Sequence, residues 1–134
     1  MDSDELIEGP LTKSIIGAFY EVYNTLRYGF LEQHYSRALH LELESIGHRV
    51  AREVPARVLY KGQVIGLQKI DMVIDEKIVI EIKASEQLHP AGMRQLVSYM
   101  RASELPVGLL LHFGPEAKYY RRVQTSRADP EANT

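Results

Sequence analysis

The apolar pattern of this chain predicts an α/β domain: two helices, an antiparallel β-meander, a third helix and a further strand, joined in a mixed sheet flanked by helices (α-α-βββ-α-β). Three observations carry that expectation. The first 47 residues repeat apolar positions with helical period, residues 50–84 change to short β-type runs broken by turn signals, and residues 89–113 pass from helical spacing into a continuous apolar run. The first helix spans 12–26, with Thr12 as N-cap and Ile15, Ile16, Phe19, Val22, Tyr23 and Leu26 on one stripe. The second follows Gly29 and runs to about Gly47, which suits a C-terminal stop, and it carries Tyr35, Leu39, Leu43 and Ile46 on its inner face. Strand-like runs cover 50–54, 57–60, 64–74 and 77–84, separated by Pro55, Lys61-Gly62 and Asp75-Glu76. Met93, Leu96, Val97 and Met100 mark a helix over 89–103, and Val107 to Phe113 reads as a strand buried on both faces. Apolar period is lost after Arg122. The expected organisation is an arm over 1–10, one domain over 11–122 and a disordered tail over 123–134.

Composition narrows the chemistry. At 134 residues and 45% hydrophobic content the chain fits a single domain with a working core. No apolar run approaches the roughly 20 residues that cross a bilayer, and the acidic start (Asp2, Asp4, Glu5) is unlike a secretory leader. The expected location is the cytoplasm, without membrane attachment. Cysteine is absent, so any metal is held by oxygen or nitrogen ligands. The net charge of −2 gives no global attraction to nucleic acid, but Lys118, Arg121, Arg122 and Arg127 gather beside Tyr119 and Tyr120. Two readings stay open for that stretch, a phosphate-contacting patch centred on Arg121 and Arg122 or a solvated tail.

Two sets of charges fall where apolar residues are expected. In 77–84 (KIVIEIKA) strand alternation puts Ile78, Ile80 and Ile82 on one face and Glu81 and Lys83 on the other. A tight turn centred on Glu76 pairs residues whose numbers sum to 152, which sets Asp71 across from Glu81. Two carboxylates about 5 Å apart repel by roughly 3 kcal/mol at an effective dielectric near 20, and a divalent cation offsets that repulsion directly. The alternative is a solvent-screened surface cluster. Glu32 falls in step with the inward stripe of the second helix, where the alternative is stabilisation at a helix N-terminus. Gln95 and Tyr99 share a face one turn apart. Of the histidines, His34, His40 and His48 are expected to face solvent on the second helix, and His112 to be a satisfied core residue. No GxxxxGK[ST], GxGxxG, HExxH or GxSxG pattern is present to indicate nucleotide, zinc or acyl chemistry.

Gly29-Phe30-Leu31-Glu32-Gln33-His34-Tyr35, Asp71, Glu81-Ile82-Lys83 and Gln95-Leu96-Val97-Ser98-Tyr99, taken together, resemble the bacterial GxxExxY proteins of the PD-(D/E)XK nuclease superfamily. The resemblance covers about 11–122 and includes Leu105-Pro106-Val107-Gly108-Leu109-Leu110 and His112-Phe113-Gly114. It departs at Lys69-Ile70, where family members more often show an arginine and a small residue, and at Tyr28, where a proline is common. It implies a restriction-endonuclease-like core and metal-dependent hydrolysis of nucleic-acid phosphodiesters, with DNA the expected substrate and Mg²⁺ or Mn²⁺ the cofactor. Asp71, Glu81, the carbonyl of Ile82 and Glu32 would hold the metal, Lys83 would face the reacting phosphate, and Gln95 and Tyr99 would match the QxxxY element of RecB-like nucleases. The alternative is a degenerate member of the fold that binds nucleic acid or protein without cutting. Oligomeric state is left open, a homodimer included.

Overall fold

The structure, a computed structural model, describes residues 7–124. Eight elements follow in chain order: α1 (Gly9–Leu26), α2 (Glu32–Ser45), β1 (Val50–Tyr60), β2 (Gln63–Ile74), β3 (Ile78–Lys83), α3 (Ala91–Ser103), β4 (Val107–Phe113) and β5 (Ala117–Val123). The strands form one mixed sheet in the order β1-β2-β3-β4-β5, antiparallel except for the β3-β4 pair. A parallel pair needs a crossover, and α3 supplies it.

The sheet separates two apolar layers. Ile78, Ile80 and Ile82 of β3 and Leu109, Leu111 and Phe113 of β4 pack with α1 and α2, while Val79 and Leu110 pack with Leu96, Tyr99 and Met100 of α3. β4 is therefore buried at every position, as its unbroken apolar run predicts. Helix α3 lies close on that strand because residue 108 is glycine. A Cβ there would fall 2.6 Å from the Met100 sulfur and 2.9 Å from a Leu96 methyl.

Several boundaries differ from expectation. Thr12 is not the N-cap of α1. The helix begins at Gly9, with Pro10 in its first turn, where the missing N–H costs nothing, and Thr12 lies buried inside it with an unpartnered hydroxyl oxygen. α2 stops at Ser45 ahead of Gly47, whose φ of 98° suits glycine, so Ile46 lies past the last turn and is half exposed instead of facing inward. The two runs on either side of Pro55 are one strand. β1 is a sheet edge, and an edge tolerates a residue that cannot donate to a ladder. Lys61 and Gly62, both at positive φ, close the β1-β2 hairpin.

The basic stretch, which sequence leaves open to a phosphate-contacting patch or a solvated tail, is strand. Residues 117–123 form β5 along β4, and Gln124 is held by its N–H to the Pro106 carbonyl and its amide to the Met100 and Leu105 carbonyls. Ordered pairing thus passes the expected domain end at 122. The rest of the expected tail, 125–134, and most of the expected arm lie outside the described residues.

His48 does not face solvent on the second helix. It follows α2 and is mostly buried, with Nε2 2.7 Å from the Ser14 hydroxyl and Nδ1 2.7 Å from Asp75 Oδ2. Asp75 also accepts the Arg49 N–H at 2.8 Å. This chain of contacts ties α1, the α2-β1 connection and the β2-β3 turn together. Burial raises the Asp75 carboxyl, but the Arg49 N–H and the His48 ring outweigh it and hold the group below the usual carboxylate range. His112 is a satisfied core residue as expected, its Nε2 bonded to the carbonyl and hydroxyl oxygens of Ser85.

Candidate active site

The β2-β3 register keeps the expected sum of 152: Ile74 pairs with Ile78, Val73 with Val79 and Met72 with Ile80. The ladder ends there, one position before Asp71. Asp71 instead reaches across the opening with its side chain, and Oδ2 accepts the Ile82 N–H at 2.8 Å. The ladder on its other side is interrupted as well, because Glu53, which lies between the β1 residues paired to Met72 and Ile70, has a φ of 53° and no partner in the register. Chain direction twists at this point, so that Met72 packs in the α1/α2 layer while Ile70 and Val73 pack in the α3 layer. The site sits where the sheet splits open.

Glu81 lies in this fork on the α3 side and is 1% exposed. Its side chain meets that of Asp71, and its Oε2 has no hydrogen-bond partner. Burial above all, then the hydrogen bond and charge of Asp71, push the Glu81 carboxyl up to about 9, with Lys83 pulling the other way. With that shift Glu81 keeps its proton at neutral pH in the metal-free chain and turns it toward Asp71. A screened surface cluster is excluded for Glu81, since its side chain is out of contact with solvent.

Lys83, next on the same face, is aimed by α3. Its ammonium donates to Gln95 Oε1 at 3.1 Å, and the Gln95 amide donates to the Tyr99 hydroxyl at 2.8 Å. The Tyr99 phenol is pushed up to about 12 by burial and by the negative charge of Glu81 and Asp71, so it stays neutral. Gln95 is thereby held with its carbonyl toward the lysine.

Glu32 arrives from the other layer. As the first residue of α2 it is exposed instead of facing inward; it accepts the Ala84 N–H at 3.3 Å, and its carboxyl is raised, chiefly by partial loss of water, with Lys83 opposing and Asp71 adding to the shift. Two residues of the same segment explain the placement. Gly29 has a φ of 127°, and the Tyr35 hydroxyl accepts the Phe30 N–H while donating to the Arg27 carbonyl, its ring stacked on Phe113 at 4.2 Å. The tyrosine pins the α1-α2 connection so that α2 opens with Glu32 over the fork. Glu32, Gln33, Ser36, Arg52, Glu53, Asp71 and Ile82 line a cleft of about 440 Å³. Sequence alone does not mark Arg52 and Glu53, because nothing in an alternating strand run shows the place where its ladder breaks.

Arg121 and Arg122 are not brought together. They alternate on β5, opposite Leu109 and Gly108 respectively, and therefore point to opposite faces of the sheet. Arg121 bonds back to the Ile7 carbonyl and Arg122 to the carbonyl of Arg121. Neither contacts the fork.

A family model described as the PD-(D/E)XK nuclease superfamily matches residues 9–123. The chain belongs to the PD-(D/E)XK nuclease superfamily. Members of this superfamily are generally nucleases, and they typically use divalent metals. No curated protein matches the chain. Among solved structures, the chain described as "Crystal structure of SSO0001" is similar at 19% identity and a TM-score of 0.47, over 89% of this chain and 70% of that one.

The superfamily's five-stranded mixed sheet with flanking helices is present here. The donor set fits a hard divalent cation in part. Two adjoining carboxylates, one with a buried and unpartnered oxygen, are ligands of the right type, and the Ile82 carbonyl stands between Glu81 and Lys83 in the chain. Among the described residues no group of three His, Cys, Asp or Glu side chains converges as a ligand cluster, so Glu32 does not join the pair in this arrangement. Its Oε1 accepts the Ala84 N–H.

Proposed function

We propose that this chain is a metal-dependent nuclease that hydrolyses phosphodiester bonds, with DNA as substrate, and that it falls within the GxxExxY, RecB-like part of its superfamily. The observation that carries the reading is Glu81, a buried carboxylate against a second carboxylate with one oxygen unsatisfied. Burying a charge beside a like charge costs stability that packing alone does not return, and such acids are found where a cation or a proton transfer needs them.

Asp71, Glu81 and the Ile82 carbonyl would hold Mg²⁺ or Mn²⁺, which supplies an acidified water and charge neutralisation at the phosphoryl oxygens. The chain's own groups do the remainder. Lys83, fixed by Gln95 and Tyr99, directs its ammonium at the phosphate, where it stabilises charge that grows in the transition state. Glu32 closes the α2 side of the fork and tunes it electrostatically. The absence of cysteine accords with a place in the reducing cytoplasm, and among the described residues no helix is long and apolar enough to cross a membrane.

The test is a cleavage panel in Mg²⁺ and Mn²⁺ on single-stranded, duplex and branched DNA and on RNA, with Lys83→Ala as control. Metal-dependent cutting of at least one DNA substrate, lost in the control, is the expected result. Binding without cutting in every arm would instead assign the chain to a non-catalytic module of the fold.

A further inference from the structure

The β1-β2 hairpin outgrows the sheet that carries it. β2 is 12 residues long, yet only Met72, Val73 and Ile74 pair with β3, so residues 54–70 form a two-stranded arm in which β1 and β2 pair with each other and, among the described residues, with no further strand. Helix α3 covers the base of the arm, through Ala56, Ile70 and the bond from Gln68 to Ser98. Beyond that base the arm stands in solvent.

Its surface is unusual in two ways. From 54 to 70 the charged residues are Arg57, Lys61 and Lys69, with no acid among them, in a chain whose net charge is −2. All three are exposed, and strand alternation puts Arg57 and Lys69 on the face opposite Ala56 and Gln68, with Arg57 also bordering a groove that reaches Ser103 and Glu104 at the end of α3. The arm also exposes Leu59, Tyr60, Val64, Ile65 and Leu67, each more than half accessible. A contiguous apolar tip of this kind on an edge hairpin is an aggregation hazard unless it has a use. The Lys61 ammonium lies over one face of the exposed Tyr60 ring, 5.4 Å from its centre.

We propose that this hairpin is a nucleic-acid-binding arm, with Arg57, Lys61 and Lys69 gripping the phosphates of a strand that leads into the fork at Asp71, and Tyr60 stacking an unpaired base at the tip. Charge complementarity favours this occupant over a protein partner or a second copy of the chain. A like-charged arm repels its own copy, while phosphates attract it and bases stack on aromatic faces without regard to sequence. Continuity with the site supports it too, since β2 runs from the arm directly into Asp71 and Arg52 of β1 lines the cleft. The chain thus favours DNA with unpaired character, a single strand or a branch, over continuous duplex. This inference rests on the nucleic-acid part of the proposed function and not on cleavage.

The experiment is fluorescence anisotropy of the full chain in EDTA with a fluorescein-labelled 20-nucleotide single strand and with its duplex, across a salt series. The expected results are tighter binding of the single strand and a loss of at least tenfold in the triple variant Arg57→Ala, Lys61→Ala, Lys69→Ala. The salt slope of that variant should be shallower by about 2, near 0.7 for each phosphate contact on a single strand. Tyr60→Ala should cost about tenfold on the single strand and little on duplex. Circular dichroism confirms that these exposed substitutions leave the fold intact. A triple variant with wild-type affinity and slope overturns the proposal whether or not the protein cuts DNA, as does the absence of binding to either probe. Cleavage that fails while binding still depends on the arm removes the nuclease reading and leaves the arm standing. If Ile65→Glu with Leu67→Glu dissolves a dimer and the triple variant keeps wild-type affinity, the apolar tip belongs to self-association and the proposal falls.

Discussion

Replacing Glu81 with glutamine tests the acidic fork without substrate. The side chain is 1% exposed, and its carboxyl is raised from the ordinary 4.5 to about 9 by burial and by Asp71. A group raised in the folded state contributes stability that is fully present below its unfolded value and is lost as pH climbs through the folded one. The metal-free protein should therefore weaken between pH 4.5 and about 9. At pH 7, keeping the proton on a group that ionises at 4.5 when unfolded costs roughly 3 kcal/mol. Glutamine keeps the shape, fills the same space and has no proton to lose. Glu81→Gln should thus raise the metal-free Tm by about 10 °C at pH 7, since a domain of this size moves a few degrees per kcal/mol. The gain should vanish near pH 4.5. Alanine is the wrong probe here, because a buried cavity would mask the electrostatic gain. The assay is thermal unfolding by circular dichroism in EDTA from pH 4.5 to 9. Parallel curves of Tm against pH for wild type and variant would refute the reasoning.

Further outcomes follow from the same geometry. Mg²⁺ must displace the Glu81 proton, so wild-type affinity, measured by calorimetry, should rise about tenfold per pH unit below about 9, whereas Glu81→Gln should show no such dependence. With a millimolar Kd, 10 mM Mg²⁺ should stabilise wild type by roughly 1.4 kcal/mol and Glu81→Gln or Asp71→Asn by much less, read as Tm at matched ionic strength. Tyr99→Phe removes the oxygen that holds Gln95, so cleavage should lose about tenfold in kcat with KM unchanged; an unchanged kcat would detach the α3 pair from the lysine. Asp75 is held below the ordinary carboxylate range, so its contribution is present at neutral pH and lost as pH falls through its folded value. Asp75→Asn should therefore narrow the stability difference between neutral pH and pH 3, as followed by urea unfolding.

The parts of this molecule that sequence reveals are those set by local period. Ile78, Ile80 and Ile82 alternate with Glu81 and Lys83, and that alternation alone places the charged pair on one face; the turn at Glu76 then brings Asp71 to the fork. Helix spacing likewise puts Gln95 and Tyr99 on one face of α3. What sequence conceals is set by partners distant in the chain. Pro55 reads as a strand break because nothing local says that β1 is an edge. β5 reads as tail because its alternation is polar, and only pairing with the buried β4 holds it. Arg121 and Arg122 look like one patch as neighbours in the chain and become opposite faces once they lie in a strand. His48 looks solvent-facing until the β2-β3 turn delivers Asp75 to it. The break in both ladders around Asp71, which creates the cleft and brings Arg52 to it, depends on Glu53 at positive φ and has no signature in composition or period.

The most direct measurement of the central claim is single-turnover cleavage of one labelled DNA in Mg²⁺ by wild type, Asp71→Asn, Glu81→Gln and Lys83→Ala, all purified identically and shown to be folded. Wild type should cut, and each variant should be slower by two or more orders of magnitude, since each loses charge stabilisation specific to the transition state. Equal rates in all four proteins would contradict it, because the cutting would then come from somewhere other than the Asp71-Glu81-Lys83 fork.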